Sequence, residues 1–168
     1  MLKLDPKKLN IIIDEKLKNE IIPSLMQLSH NDKERGGILI GEIYPDSNTI
    51  AIIEIYESMK AKASKYSIEI DNVEMQSIID KVHQNSNGLR NYLGDWHTHP
   101  EPIPHPSSID NATFKDMVRK SKLNKNFLLN MIIGNDITQN YIRIDIIEKE
   151  FNLFNFYMNV MKNKIKRS

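Results

Sequence analysis

Residues 38–58 hold two runs rich in β-branched side chains, ILIGEIY and TIAIIEIYES, separated by the stretch PDSN. β-Branched residues fit a pleated surface better than a helix, and Pro, Asp, Ser and Asn each favour a turn for their own reason. The segment predicts an antiparallel hairpin. The remaining chain must then supply partner strands and helices that cover them.

The spacing of apolar residues predicts those elements. From Lys8 to about His30, Leu9, Ile12, Ile13, Leu17, Ile21, Ile22, Leu25, Met26 and Leu28 recur at three- and four-residue steps, an amphipathic helix with a break near Pro23. After the hairpin, SMKAKASKYSIEID reads as an extended connection or edge strand, with Lys60, Lys62 and Lys65 on a solvated face. Val73, Met75, Ile78, Ile79 and Val82 predict a helix from Asn72 to about Gln84, stopped by NSNG. A strand LRNYLGDWHTH follows, then the proline-rich loop PEPIPHP and a helix from Ser107 to about Ser121. Phe127 to Gly134 and Tyr141 to Ile147 read as strands. A last helix is expected from Glu150 to Lys164, with Phe151, Phe154, Tyr157, Met158 and Met161 as a core or dimer stripe and KNKIKRS as a solvated tail. The order predicts a single mixed α/β domain over residues 1–168, its sheet lying between helices.

Composition narrows the function. The 23 basic and 22 acidic residues nearly cancel, which argues against a nucleic-acid partner. Cysteine is absent, so thiol nucleophiles, disulfides and thiolate metal sites are excluded, and any metal must sit on nitrogen and oxygen. The longest apolar stretch, Phe127 to Ile133, is interrupted by Asn130 and is far shorter than the roughly 20 residues of a membrane helix. The N-terminal MLKLDPKKLNIIIDEKLK carries charge through its apolar patch and does not read as a secretory signal, so the cytoplasm is the expected location.

Chemistry concentrates at residues 96–110, which contain three of the five histidines. Side chains two apart on a strand share a face, so His97 and His99 can direct both imidazoles at one ion. Pro100 discourages helix after His99, and the later prolines stiffen the return of the chain. Ser107 and Asp110 lie three apart at a helix start, from which Asp110 can project back toward the strand end. Two imidazoles and one carboxylate leave a fourth tetrahedral position for water, the form of a catalytic zinc site. Each part has a plainer reading: His-x-His alone is common, and Ser-x-x-Asp alone is a capping box. Their conjunction at these offsets makes the metal reading the stronger one.

Taken together, His97-x-His99-Pro100, the seven residues before Ser107, and Ser107-x-x-Asp110 resemble the signature of the JAMM (JAB/MPN+) metalloproteases. The family's upstream glutamate before a glycine-containing strand is matched by Glu34-Arg35-Gly36-Gly37-Ile38-Leu39-Ile40-Gly41. The wording GDWHTHPEPIPHPSSID is especially similar to compact bacterial JAB-type isopeptidases of ubiquitin-like conjugation operons, including those of antiviral CBASS systems.

The resemblance implies a JAB/MPN fold, a central mixed sheet flanked by helices of the cytidine-deaminase-like kind, and one zinc ion held by His97, His99 and Asp110. It implies Glu34 as the base that accepts the proton of the zinc-activated water; read by itself, a glutamate in the turn NDKERGG is merely solvated. It implies Ser107 as helix cap and oxyanion donor. The implied substrate is the isopeptide or peptide bond after a ubiquitin-like C-terminus, with a CD-NTase-type enzyme and its conjugating enzymes as candidate partners and neither nucleic acid nor membrane involved. Two alternatives stay open: a zinc-stabilised scaffold, and a plain peptidase acting on an unconjugated precursor. Trp96 is expected in the core, Asp95 either orients a ligand histidine or lies in a surface loop, His105 is expected exposed, and His30 and His83 need no function.

Overall fold

A computed structural model describes residues 4–26, 32–121, 125–139 and 141–149, together with the backbone of strands 153–159 and 164–167. The hairpin forms as expected: β2 (Gly36–Tyr44) and β3 (Thr49–Glu57) pair antiparallel around a turn in which Asn48 adopts a left-handed conformation. Asparagine tolerates that region better than other non-glycine residues.

The first stretch departs from the expected helix. Residues Asn10–Ile13 form a strand, β1, parallel to β3, with Ile11 and Ile13 buried and Asn10 and Ile12 exposed. Three consecutive isoleucines alternate across an available sheet edge, and that pairing overrides their approximate helical spacing. Helix begins only after Asp14, whose carboxylate accepts from the Lys16 and Leu17 amides. A π-helical turn, Leu17–Ile21, then continues into the short helix α1 (Ile22–Leu25). The predicted end of that helix, including Leu28 and His30, lies outside the described residues.

The connection after β3 becomes a two-stranded ribbon, β4 (Lys62–Ala63) and β5 (Ile68–Glu69). Helix α2 (Asn72–Asn85) follows, capped by Asp71, whose carboxylate accepts from the Glu74 amide at 2.8 Å. Strand β6 (Asn91–Thr98), helix α3 (Ser108–Lys120) and strands β7 (Phe127–Ile133) and β8 (Tyr141–Glu148) match their predicted positions within a few residues.

The expected C-terminal helix is a second correction. Residues Leu153–Asn159 form β9, antiparallel to β8, and Lys164–Arg167 form β10, antiparallel to β9, so the expected solvated tail ends in a strand. The run LFNFYMN is rich in aromatics, and the open edge of β8 gives it a hydrogen-bonding partner that a lone helix lacks.

The main sheet has eight strands in the order β1-β3-β2-β6-β7-β8-β9-β10, with β1/β3 and β6/β7 parallel and the other pairs antiparallel. One face is covered by the N-terminal segment: Leu17, Ile22, Leu25 and Met26 join Leu39, Ile50, Trp96, Leu129 and Met131 in one cluster. On the opposite face, Phe114 and Val118 of α3 pack on Leu128 and Ile147, and Met75 of α2 packs on Ile38 and Ile40. Leu128 and Leu129 thus belong to different clusters, so β7 is buried on both sides and reads as a continuous apolar run. Among the described residues no helix is long and apolar enough to cross a membrane.

Candidate metal centre

Three elements converge at the C-terminal end of β6. The antiparallel register pairs Gly36 with His97 and Gly37 with Trp96, which carries the chain preceding β2 past the two histidines. This approach requires glycine: a Cβ on Gly36 would lie 2.7 Å from the Trp96 carbonyl oxygen, and one on Gly37 would lie 1.8 Å from that of Tyr56. The residues ahead of the strand are pinned as well. The Arg35 amide donates to Thr98 Oγ1 at 2.9 Å, the Thr98 amide donates to the Arg35 carbonyl at 2.8 Å, and the Glu34 amide donates to the Ser64 carbonyl at 2.8 Å. Arg35 Nε also donates to Glu57 at 2.7 Å.

His99 continues the pairing beyond β6, its amide donating to Ile133 at 2.9 Å. The proline-rich loop is tied down where the Asn135 amide donates to Glu101 at 2.9 Å. It delivers α3 with Ser107 as N-cap. Ser107 Oγ accepts from the Asp110 amide at 3.1 Å, and Asp110 Oδ2 accepts from the Ser107 amide at 2.7 Å, a complete capping box. The plainer reading of Ser-x-x-Asp is therefore realised, and the same Asp110 carboxylate also reaches the histidines.

His97 Nε2 lies 3.8 Å from Asp110 Oδ1, and His99 Nε2 lies 3.2 Å from Asp110 Oδ2. One ligand atom from each of the three residues falls within 4.8 Å of the other two. Nitrogen and oxygen ligands about 2.0 to 2.1 Å from a tetrahedral zinc ion stand roughly 3.3 Å apart, so the donor set fits such an ion. A second observation agrees: His97 Nε2 is buried without a hydrogen-bond partner. A buried nitrogen left unpaired is costly unless something else fills the gap.

Electrostatics separates the members. Burial keeps His97 neutral by lowering its pKa to about 4, with the neighbouring His99 acting in the same direction. Burial opposes the His99 imidazolium too, but the Asp110 hydrogen bond and the Glu34 and Asp110 charges outweigh it and raise the pKa. Asp110 pays a burial cost, yet hydrogen bonds from His99 and Ser107 and the nearby His97 hold it well below the usual carboxylate range. Glu34, 5% exposed, is pushed up to about 7 by burial, with Asp110 adding to the rise and His99 opposing it. Glu34 Oε1 lies 3.8 Å from His99 Nε2, and Oε2 is buried without a partner.

The sequence-predicted residues Glu34, His97, His99, Ser107 and Asp110 are thus gathered at one place. Trp96 is buried as expected, its indole donating to the Tyr56 carbonyl at 3.2 Å. Asp95 neither orients a histidine nor lies in a loop: a bulge at Leu93 brings it onto the face of Tyr92, whose hydroxyl donates to it at 2.8 Å. His105 is exposed, 3.7 Å from Glu101, and His83 Nδ1 lies 3.1 Å from the Arg90 carbonyl. Sequence reasoning missed Thr98, which ties the Glu34 segment to β6, and Asn130, a buried diagonal neighbour of His97 across the β6/β7 pairing. Asn130 carried a signal, as the polar interruption of an apolar strand. Beside the centre, a groove of about 1580 Å³ opens between α2, α3 and the β4/β5 ribbon, with Tyr92, Asp95, Met75 and Met117 among its lining.

Known proteins agree with this architecture. The chain is 38% identical over 88 residues to a CD-NTase/cGAS isopeptidase of Escherichia coli, covering 52% of this chain and 55% of the relative. It is 30% identical over 112 residues to a CD-NTase/cGAS isopeptidase of Vibrio cholerae, covering 66% and 68% of the two chains. A probable metalloprotease of Sinorhizobium fredii matches at 31% identity over 91 residues, covering 53% and 55%. The match thus spans about half the length of the Escherichia coli and Sinorhizobium fredii relatives. A solution structure of a Desulfitobacterium hafniense protein shares the fold at TM-score 0.62 and 19% identity, over 86% of this chain and 88% of that one. The family model for prokaryotic homologues of the JAB domain matches residues 17–147, and the chain belongs to that family.

Proposed function

We propose that the protein is a zinc-dependent JAMM-type peptidase that hydrolyses the isopeptide or peptide bond following a ubiquitin-like C-terminus. The observation that carries this reading is the convergence of His97, His99 and Asp110 with Glu34 beside them, two buried polar atoms there, His97 Nε2 and Glu34 Oε2, having no hydrogen-bond partner. A bound zinc ion supplies an electrophilic centre and acidifies water there.

The chain's own residues account for the rest. Glu34, lifted by burial toward neutral pH, is suited to take the proton of the attacking water and pass it to the leaving lysine amine. A carboxyl in its ordinary range would hold that proton too weakly. Ser107 Oγ accepts from the helix, and a hydroxyl can donate while it accepts, so its proton serves the oxygen on which charge develops. A groove between α2, α3 and the β4/β5 ribbon lies near the centre. Ser64, in its lining, also holds the Glu34 amide, so groove and centre adjoin. The names of the Escherichia coli and Vibrio cholerae relatives favour a conjugated CD-NTase-type enzyme as target.

The test offers two substrates to purified protein: a ubiquitin-like domain joined to a lysine side chain, and the same domain in a linear fusion. Cleavage at the domain's C-terminus that chelator abolishes and zinc restores is expected. Undiminished cleavage after chelation, or stable binding of the conjugate without cleavage, would leave the metal-independent or scaffold readings instead.

A further inference from the structure

Every residue of β7 is buried, and Asn130 is the polar exception among Phe127, Leu128, Leu129, Met131, Ile132 and Ile133. A side-chain amide in such a strand must find partners or destabilise it. In the parallel β6/β7 register Asp95 faces Asn130 and His97 faces Ile132, so Asn130 and His97 are diagonal neighbours on one face. At that spacing the Asn130 side chain is within reach of the His97 ring as a hydrogen-bonding neighbour. Because His97 Nε2 has no hydrogen-bond partner, Nδ1 is the ring nitrogen such a bond would use. On its other side Asn130 faces Asp145 in the β7/β8 register, where buried Asp145 accepts from Arg143 Nε at 2.7 Å.

We infer that Asn130 is a positioning residue for His97: its amide oxygen accepts the Nδ1 proton, which fixes the tautomer and directs the Nε2 lone pair at the metal position. This rests on the metal-centre reading proposed above. A neutral imidazole carries one N–H, and with no acceptor at Nδ1 the proton can sit on Nε2, where it must be removed before an ion binds. Asp95, the other polar group on this face of β6 beside His97, is engaged by Tyr92 instead. Loss of such an outer partner costs about 10- to 100-fold in metal affinity.

The experiment compares wild type with Asn130→Leu, a change that matches the apolar neighbours in the strand. Zinc dissociation constants are measured by chelator competition, and melting temperatures are measured on the zinc-free proteins. The expected result is a dissociation constant raised about 10- to 100-fold with little loss of zinc-free melting temperature. A role in packing alone would lower the melting temperature and leave the affinity unchanged, and that outcome would overturn the inference. Nitrogen-15 NMR of zinc-free wild type gives a readout independent of the variant's folding: His97 is expected as the Nδ1–H tautomer, and the Nε2–H tautomer would overturn the inference. If wild type itself bound no zinc, the metal-centre reading would fall first, a result distinct from unchanged affinity in the variant.

Discussion

His99 Nε2 lies 3.8 Å from Glu34 Oε1, although one residue follows the end of β6 and the other precedes the start of β2. The antiparallel pairing of those strands, closed by the reciprocal Arg35 and Thr98 hydrogen bonds, brings the two together. A buried carboxyl is thereby fixed beside the His97, His99 and Asp110 cluster. The proposed chemistry follows from that placement.

Replacing Glu34 with Gln keeps the shape of the site and removes the proposed base. Zinc content should stay near one ion per chain while kcat on an isopeptide-linked substrate falls about 100- to 10,000-fold. Metal analysis and steady-state kinetics on one preparation check this. Turnover near wild type would remove Glu34 from the reaction.

The same substitution has a second consequence in the zinc-free protein. Burial raises the Glu34 pKa to about 7 from the ordinary glutamate value of 4.5, so ionising it in the folded state costs stability. Between those values the folded state holds the proton that the unfolded state has released. Stability contributed by the neutral carboxyl is therefore complete below about pH 4.5 and lost as pH rises through 7. Glutamine has no charge to desolvate, so Glu34→Gln should be the more stable protein at pH 8 and nearly equal to wild type at pH 5. Urea unfolding of both zinc-free proteins measures the difference, and equal stability at pH 8 would contradict it.

Zinc affinity should weaken in acid, because His99 is the one of the proposed ligands whose protonated form its surroundings favour. Its pKa is raised by Asp110 and Glu34 despite burial, whereas His97 is already neutral with a pKa of about 4. Below the raised value each ion must displace one proton, so the apparent Kd should increase about tenfold per pH unit. Chelator competition from pH 5 to 8 tests the slope. A flat profile would exclude His99 as a ligand.

The glycines of β2 can be tested without touching a polar group. Gly37→Ala places a Cβ 1.8 Å from the Tyr56 carbonyl oxygen, a collision with backbone that no rotamer relieves. Stability should fall by roughly 2 to 4 kcal/mol in chemical denaturation, and turnover should fall as the Glu34 segment shifts. A variant with wild-type stability would show that the β2/β3 approach is looser than described.

Much of this was legible in the sequence where local rules and tertiary structure agree. The β2/β3 hairpin, α2, α3, β7 and β8 follow from alternation, helical spacing and turn residues. The cluster at residues 97–110 follows from the two-residue period of a strand and the reach of a helix's first turn. The errors lie at the edges of the sheet. Ile11, Ile12 and Ile13 fit a helical stripe and a strand equally well, and the free edge of β3 decided between them. The aromatic run in β9 was ambiguous in the same way, and the edge of β8 decided it. Glu34 was invisible as a site residue without its resemblance to a family pattern, because its burial depends on β6 and on Ser64, both distant in the chain.

A crystal structure of zinc-loaded protein with anomalous data at the zinc edge tests the central claim most directly. One peak is expected about 2.0 to 2.2 Å from His97 Nε2, His99 Nε2 and an Asp110 oxygen, with the remaining coordination position turned toward Glu34. A zinc peak elsewhere, or a fourth protein ligand closing the position that faces Glu34, would contradict it.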